Sequence, residues 1–160
     1  MIEAPFEVGR MLGRLNDAGL PYVVVGGIAV IVHGYVRPTE DLDALVPRRS
    51  QVGEELRVLL TEWGATRLDG SALPDALFDG EHNVRAHTPD GVIDFIPEGE
   101  PPLDFEGVHR TARSVEIDGV ETRVCDLAHL AAFKRLAGRM RDRADLAELE
   151  AAHGDLPDPR

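Results

Sequence analysis

The sequence predicts an α+β fold: a mixed β-sheet with helices packed on it and a helical C-terminal segment. Three observations predict it. The β-branched run Tyr22-Val23-Val24-Val25 reads as a buried strand. Two pairs of short apolar stretches flank the turn signals Pro89-Asp90-Gly91 and Asp118-Gly119 and read as strand pairs. Elsewhere apolar residues recur at helical spacing, so helices must cover the strands.

Taken in order, Phe6, Met11, Leu12 and Leu15 make a first helix, ended by Ala18-Gly19. The Tyr22–Val25 strand follows Pro21, Gly26-Gly27 makes a sharp turn, and Ile28–His33 forms a short helix closed by Gly34. Arg37–Val46 is a second strand entered through Pro38. Val52, Leu56, Leu59 and Leu60 share one face of a helix over Ser50–Glu62, and Trp63 is expected to pack. Leu68–Gly80 has no readable pattern. Asn83–His87 and Val92–Ile96 are strands, Pro97–Pro102 is a loop, and Val115–Ile117 pairs with Val120–Val124. Asp126 caps a long helix with the stripe Leu130, Phe133, Leu136, Met140 and Ala144; a break near Arg141-Asp142 would make Asp142 the cap of a last helix to about Ala152. The tail from Asp155 is expected to fray. The whole chain, 1–160, reads as one domain, its core at about 20–125 and its C-terminal helices at about 126–153.

Composition narrows the function. The net charge of -12 argues against a generally basic nucleic-acid surface. The only lysine, Lys134, stands with Arg135, Arg139 and Arg141 in the most basic stretch, either a solvated helix face or a patch facing a phosphate. No apolar run approaches the roughly 20 residues that span a bilayer, and Met1-Ile2-Glu3 does not open a secretory signal. A single cysteine, Cys125, excludes an intrachain disulfide and is expected to be buried, so the reading is a cytoplasmic protein.

Three features carry chemistry. Gly26-Gly27 between strand and helix lets a backbone approach a ligand, and the helix N–H groups favour an anion; a plain turn is the ordinary alternative. Asp41 and Asp43 alternate with Leu42 and so point to one face of a strand, where a hard divalent cation would relieve their repulsion. An edge strand with one wet face is the ordinary alternative there. Asp94, inside Val92-Ile93-Asp94-Phe95-Ile96, is too costly to bury ionised and unpaired. Its partner is either a metal shared with Asp41 and Asp43 or an arginine. Arg37 and Thr39 make the strip before Asp41 polar and mixed in charge.

The string Gly-Gly-Ile-Ala-Val-Ile-Val-His-Gly-Tyr-Val-Arg-Pro-Thr-Glu-Asp-Leu-Asp, Gly26 to Asp43, resembles the nucleotidyltransferase superfamily signature, and most nearly its AbiEii/MNT-type branch of toxin–antitoxin and phage-defence proteins. Asp94 matches the later apolar-Asp-apolar strand; Lys134, Arg139, Asp142, Asp145 and Leu146 match a C-terminal helical pattern. Gly27 stands where many active members have serine, which removes a phosphate-binding hydroxyl.

The resemblance implies a metal-dependent transferase with a polymerase-beta-like core, using Mg²⁺ or Mn²⁺ and a nucleoside triphosphate such as ATP. Gly26 and Gly27 would cradle the β- and γ-phosphates, with Arg37 and Thr39 in the nucleotide-binding set. Asp41, Asp43 and Asp94 would be catalytic and bind metal, and Asp94 would help deprotonate the acceptor. Lys134 would approach the triphosphate, with Arg139 or Asp142 near the base or acceptor. The acceptor would be a protein, an RNA or a small molecule; a small molecule calls for a closed pocket, which a second subunit could complete as a homodimer. A toxin or antitoxin partner, an antibiotic-modifying nucleotidyltransferase, and a catalytically silent antitoxin or binding module are the other roles the resemblance allows. His33 reads as a helix-end residue, and His82, His87, His109, His129 and His153 lack metal-ligand spacing.

Overall fold

The computed structural model describes residues 6–160, so the N-terminal stretch read above for a signal lies outside the described residues. Its elements in chain order are α1 (Val8–Asp17), β1 (Val23–Val25), α2 (Gly26–Val32), β2 (Asp41–Val46), α3 (Ser50–Trp63), β3 (Val84–Thr88), β4 (Gly91–Pro97), α4 (Phe105–Thr111), β5 (Arg113–Ile117), β6 (Val120–Val124), α5 (Leu127–Ala137) and α6 (Met140–His153). The six strands form one sheet in the order β3-β4-β2-β1-β6-β5. β2 runs parallel to β4, and β1 parallel to β6; the remaining neighbours are antiparallel. The predicted α+β class and mixed sheet are therefore what the chain forms. None of the described helices is long and apolar enough to cross a membrane.

The core follows from the apolar patterns. Val23, Val24 and Val25 are buried at the centre of the sheet, as are Leu42, Ala44, Ile93 and Phe95 from its neighbours. Met11, Leu12 and Leu15 from α1 and Val52, Leu56, Leu60 and Trp63 from α3 complete the same cluster. Burying a side chain of this size contributes about 1.5–3 kcal/mol. Trp63 also donates its indole N–H to Asp90 in the β3–β4 turn (2.8 Å). Cys125 is buried as expected, and His33 ends α2 with its ring bonded to the Cys125 carbonyl at 2.8 Å.

Several boundaries differ from the sequence reading, each for a local reason. No separate turn precedes α2: the helix starts at Gly26 itself, whose φ of +68° makes the corner in one residue. The second strand covers only Asp41–Val46, because β1 pairs no further than Asp43 and β4 starts at Gly91. A short 3-10 turn, Asp75–Phe78, occupies part of the unassigned stretch. Helix α4 went unpredicted although Asp104 caps it by accepting the Gly107 N–H (3.1 Å).

At the C-terminus the helix breaks earlier than Arg141-Asp142. Gly138 adopts φ +60° and ends α5, so Met140 falls out of the expected stripe, while Leu136, still within α5, lies on its solvent side; both are exposed. Asp142 is not the cap of α6. It sits three residues after Arg139 and accepts both the Arg139 backbone N–H at 3.1 Å and its side-chain Nε–H at 2.8 Å, so the first turn is closed from the Asp142 side alone. The tail from Asp155 carries no helix or strand, though Leu156 packs against the core.

Candidate active site

Register builds the site. In the parallel pair β2–β4, Asp43 lies opposite Asp94; in the antiparallel pair β3–β4, Arg85 lies opposite Asp94. Side chains alternate along a strand, so Asp41, Asp43, Asp94 and Arg85 share one face of the sheet. Their intervening neighbours, Leu42, Ile93 and Ala86, are fully buried on the other. The corner at Gly26 meets this face from β1: a Cβ there would collide with Asp43 Oδ2. At Gly27 a Cβ would come within 2.6 Å of Thr39 Oγ1. Gly26 is required both by this approach and by its left-handed backbone, whereas at Gly27 the nearest group is the Thr39 hydroxyl, which can rotate away.

These groups line a cleft of about 590 Å³. Gly26, Gly27, Arg37, Thr39, Asp41, Asp43, Asp94, Lys134, Arg139 and Asp142, all singled out from the sequence, are among its lining residues. The cleft also has apolar lining, from Leu45, Ile96, Leu103, Leu130 and Phe133. Arg85 was missed by sequence reasoning, yet a signal existed. Aligning Asn83–His87 against Val92–Ile96 across their turn already sets position 85 opposite 94.

Arg85 is the only described cation bonded to the three-carboxylate set. Its Nη1 donates to Asp94 Oδ2 at 2.6 Å and to Asp41 Oδ2 at 3.2 Å. Of the two partners the sequence left open for Asp94, the arginine is therefore present. Asp43 has no such ion pair among the described residues. Burial, then the charges of Asp94 and Asp41, push its carboxyl up to about 7. Burial raises the Asp94 carboxyl as well, against the opposing pull of Arg85. No cluster of three or more acidic, histidine or cysteine side chains among the described residues is already arranged around a common metal point. The donor set nevertheless suits a hard divalent cation: three carboxylates on one face, one of them driven toward protonation by burial and by its two acidic neighbours.

Beside this set lies a buried ionic network. Asp145 and Asp142 are 1% and 0% exposed. Arg37 grips Asp145 with two parallel bonds of 2.8 and 2.9 Å. Lys134 Nζ lies 3.2 Å from Asp142 and 3.0 Å from Asp145, and Arg139 Nε lies 2.8 Å from Asp142. Burial raises both carboxyls, but the bonds from Arg37, Arg139 and Lys134 outweigh it and hold them below the usual carboxylate range. Lys134 and Asp145 meet although their helices are separate, because α6 turns back on α5. The stretch Lys134–Arg143 is thus not one uniform basic face: Lys134 is buried in ion pairs, while Arg139 is largely exposed at the cleft.

No protein-family model and no curated protein matches the chain. Solved structures do match. The chain is similar to an antigenic nucleotidyltransferase-like protein from Paracoccidioides brasiliensis at 16% identity and TM-score 0.61, covering 91% of this chain and 74% of that one. It is similar to the lincosamide antibiotic adenylyltransferase LnuA, lincomycin-bound, at 13% identity and TM-score 0.61, covering 90% and 94%. ANT(2")-Ia in complex with adenylyl-2"-tobramycin matches at 14% identity and TM-score 0.57, covering 90% and 86%. The fold is that of the nucleotidyltransferases. In this nucleotidyltransferase fold the strands β1, β2 and β4 deliver the glycine corner and the three carboxylates to one cleft. At these identities the likeness concerns the fold, and it does not single out the AbiEii/MNT branch.

Proposed function

We propose that the protein is a metal-dependent nucleotidyltransferase that moves a nucleoside monophosphate from a nucleoside triphosphate to an acceptor. One observation carries the reading: Asp43 and Asp94 face each other in register, with Asp41 beside them and the Gly26 corner against Asp43, in one open cleft. Asp41, Asp43 and Asp94 would hold Mg²⁺ or Mn²⁺, which when bound supplies charge neutralisation at the attacking and leaving oxygens. Gly26 and Gly27 leave room for phosphates to reach the backbone. Arg37, Thr39, Lys134 and Arg139 set the electrostatics of the nucleotide side, and Asp142 and Asp145 fix where those cations stand.

In the reaction, an acceptor atom attacks the α-phosphorus as the bond to pyrophosphate breaks, and the acceptor's proton passes to the Asp94 carboxylate. The acceptor is a protein, an RNA or a small molecule, and the sequence resemblance points to a toxin–antitoxin or defence setting in the cytoplasm. A second reading, an antibiotic nucleotidyltransferase, is favoured by LnuA and ANT(2")-Ia among the similar structures and by the apolar lining residues Leu103, Leu130 and Phe133.

Incubation with each α-labelled nucleoside triphosphate and Mg²⁺, with cell extract, with RNA, or with a lincosamide and an aminoglycoside, separates the acceptors. Label should pass to one of them and be lost in Asp43→Ala. Titration with ATP and Mg²⁺ that detects no binding to either protein would leave a silent scaffold instead.

A further inference from the structure

The Arg85 guanidinium stands where the nucleotidyltransferase reading puts a cation. It takes one oxygen from each of two carboxylates, Asp94 Oδ2 at 2.6 Å and Asp41 Oδ2 at 3.2 Å. A divalent ion bridging Asp41 and Asp94 would draw on the same two carboxylates, and two cations sharing them repel each other. The arginine comes from β3, the edge strand of the sheet, and its side chain is 53% exposed. It can therefore swing into solvent without stranding a buried charge, unlike Lys134 or Arg37, whose heads lie 7% and 12% exposed against Asp145. Asp43 is left out of the arginine's bonds, so this occupant neutralises part of the acidic set and leaves the rest ready for a stronger cation.

We propose that Arg85 is a built-in occupant of the cation position: in the free protein its guanidinium holds Asp41 and Asp94 together, and a divalent ion binds by displacing it. The proposal rests on the reading that the three carboxylates hold a metal. Its consequence is a threshold. A bare ion must break two charge-assisted bonds to enter, whereas an ion arriving with a triphosphate brings phosphate oxygens that the freed guanidinium can meet. Arg85 thereby favours joint binding of metal and nucleotide over metal alone.

Mn²⁺ binding to the nucleotide-free protein, followed by the electron paramagnetic resonance signal of free Mn²⁺, tests this. Arg85→Ala should bind Mn²⁺ at least tenfold more tightly than the unaltered protein. Arg85→Lys should fall between them, since an ammonium cannot fork across two carboxylates. A second readout reports displacement itself: in ¹⁵N spectra, the guanidinium signals absent from Arg85→Ala should shift when Mg²⁺ is added to the unaltered protein and stay fixed in Asp43→Ala. Equal Mn²⁺ affinity with and without Arg85, or guanidinium signals that stay put while Mn²⁺ binds, overturns the role of Arg85 and leaves the metal site standing. Absence of Mn²⁺ binding to every variant overturns both.

Discussion

Gly26 and Asp43 are the two residues whose chemistry is most tightly constrained. At Gly26 a left-handed backbone and contact with Asp43 exclude a side chain. Gly26→Ala should therefore lose about 1 kcal/mol or more to backbone strain alone, and displace Asp43; urea unfolding and Mn²⁺ binding should both register the change. Asp43 makes a prediction about pH. Its folded-state carboxyl is raised, by burial first and then by Asp94 and Asp41. The native metal-free protein thus holds a proton that the unfolded chain releases near pH 3.9. That contribution is complete below the unfolded value and is lost as pH rises through about 7. Without metal, the urea midpoint of the unaltered protein should fall between about pH 4 and about pH 7 relative to that of Asp43→Asn. A flat difference between the two would remove the case for a like-charge cluster at this position. Both residues were visible in the sequence as Gly-Gly and Asp-x-Asp. Arg85 was not singled out, because an arginine on an exposed strand position has nothing locally unusual about it.

At the scale of elements, the join between α5 and α6 decides how the cleft's basic side is built. Gly138 stops α5, and the Asp142 carboxylate, accepting from the Arg139 backbone and side chain, starts α6, so the second helix folds back and brings Asp145 to Lys134 and Arg37. One carboxylate then ties the segment before β2 to both helices. Asp145→Ala would leave the partly buried Arg37 without its carboxylate and Lys134 with Asp142 alone, which should cost about 3 kcal/mol and lower the urea midpoint accordingly. The pH sign is opposite to that of Asp43. Bonds to Arg37 and Lys134 overcome burial and hold the Asp145 carboxyl down, so its contribution is present above the unfolded value and lost as acid carries pH below the ordinary carboxylate range. The sequence showed Lys134, Asp142 and Asp145 as a helical pattern. It misplaced the break because a glycine and an acidic residue four positions apart both look like terminators, and only the capping geometry chooses between them.

For the whole molecule, three strands of one sheet supply the site, with β1 at the corner and β2 and β4 side by side. A ligand bound there ties these elements together and stabilises the native state by mass action. Mg²⁺ with ATP at about 100 times its dissociation constant should add about 2.7 kcal/mol, a rise in Tm on the order of 5–10 °C for a chain of this size. Thermal unfolding with and without Mg²⁺-ATP measures it, and Asp43→Ala should abolish the rise. An equal rise in both proteins would place the nucleotide elsewhere.

The sequence by itself determined the α+β class, most of the strands and helices, and the glycine corner with its paired aspartates. Those features rest on spacing within one segment, where alternation and periodicity read directly. Tertiary structure decided what stands beside Asp94. The parallel register of β2 on β4 sets Asp43 across from it, whereas Arg85 on its other side follows from the local β3–β4 hairpin. Pairing between strands some fifty residues apart depends on which surfaces the whole core buries, and no local pattern carries that information.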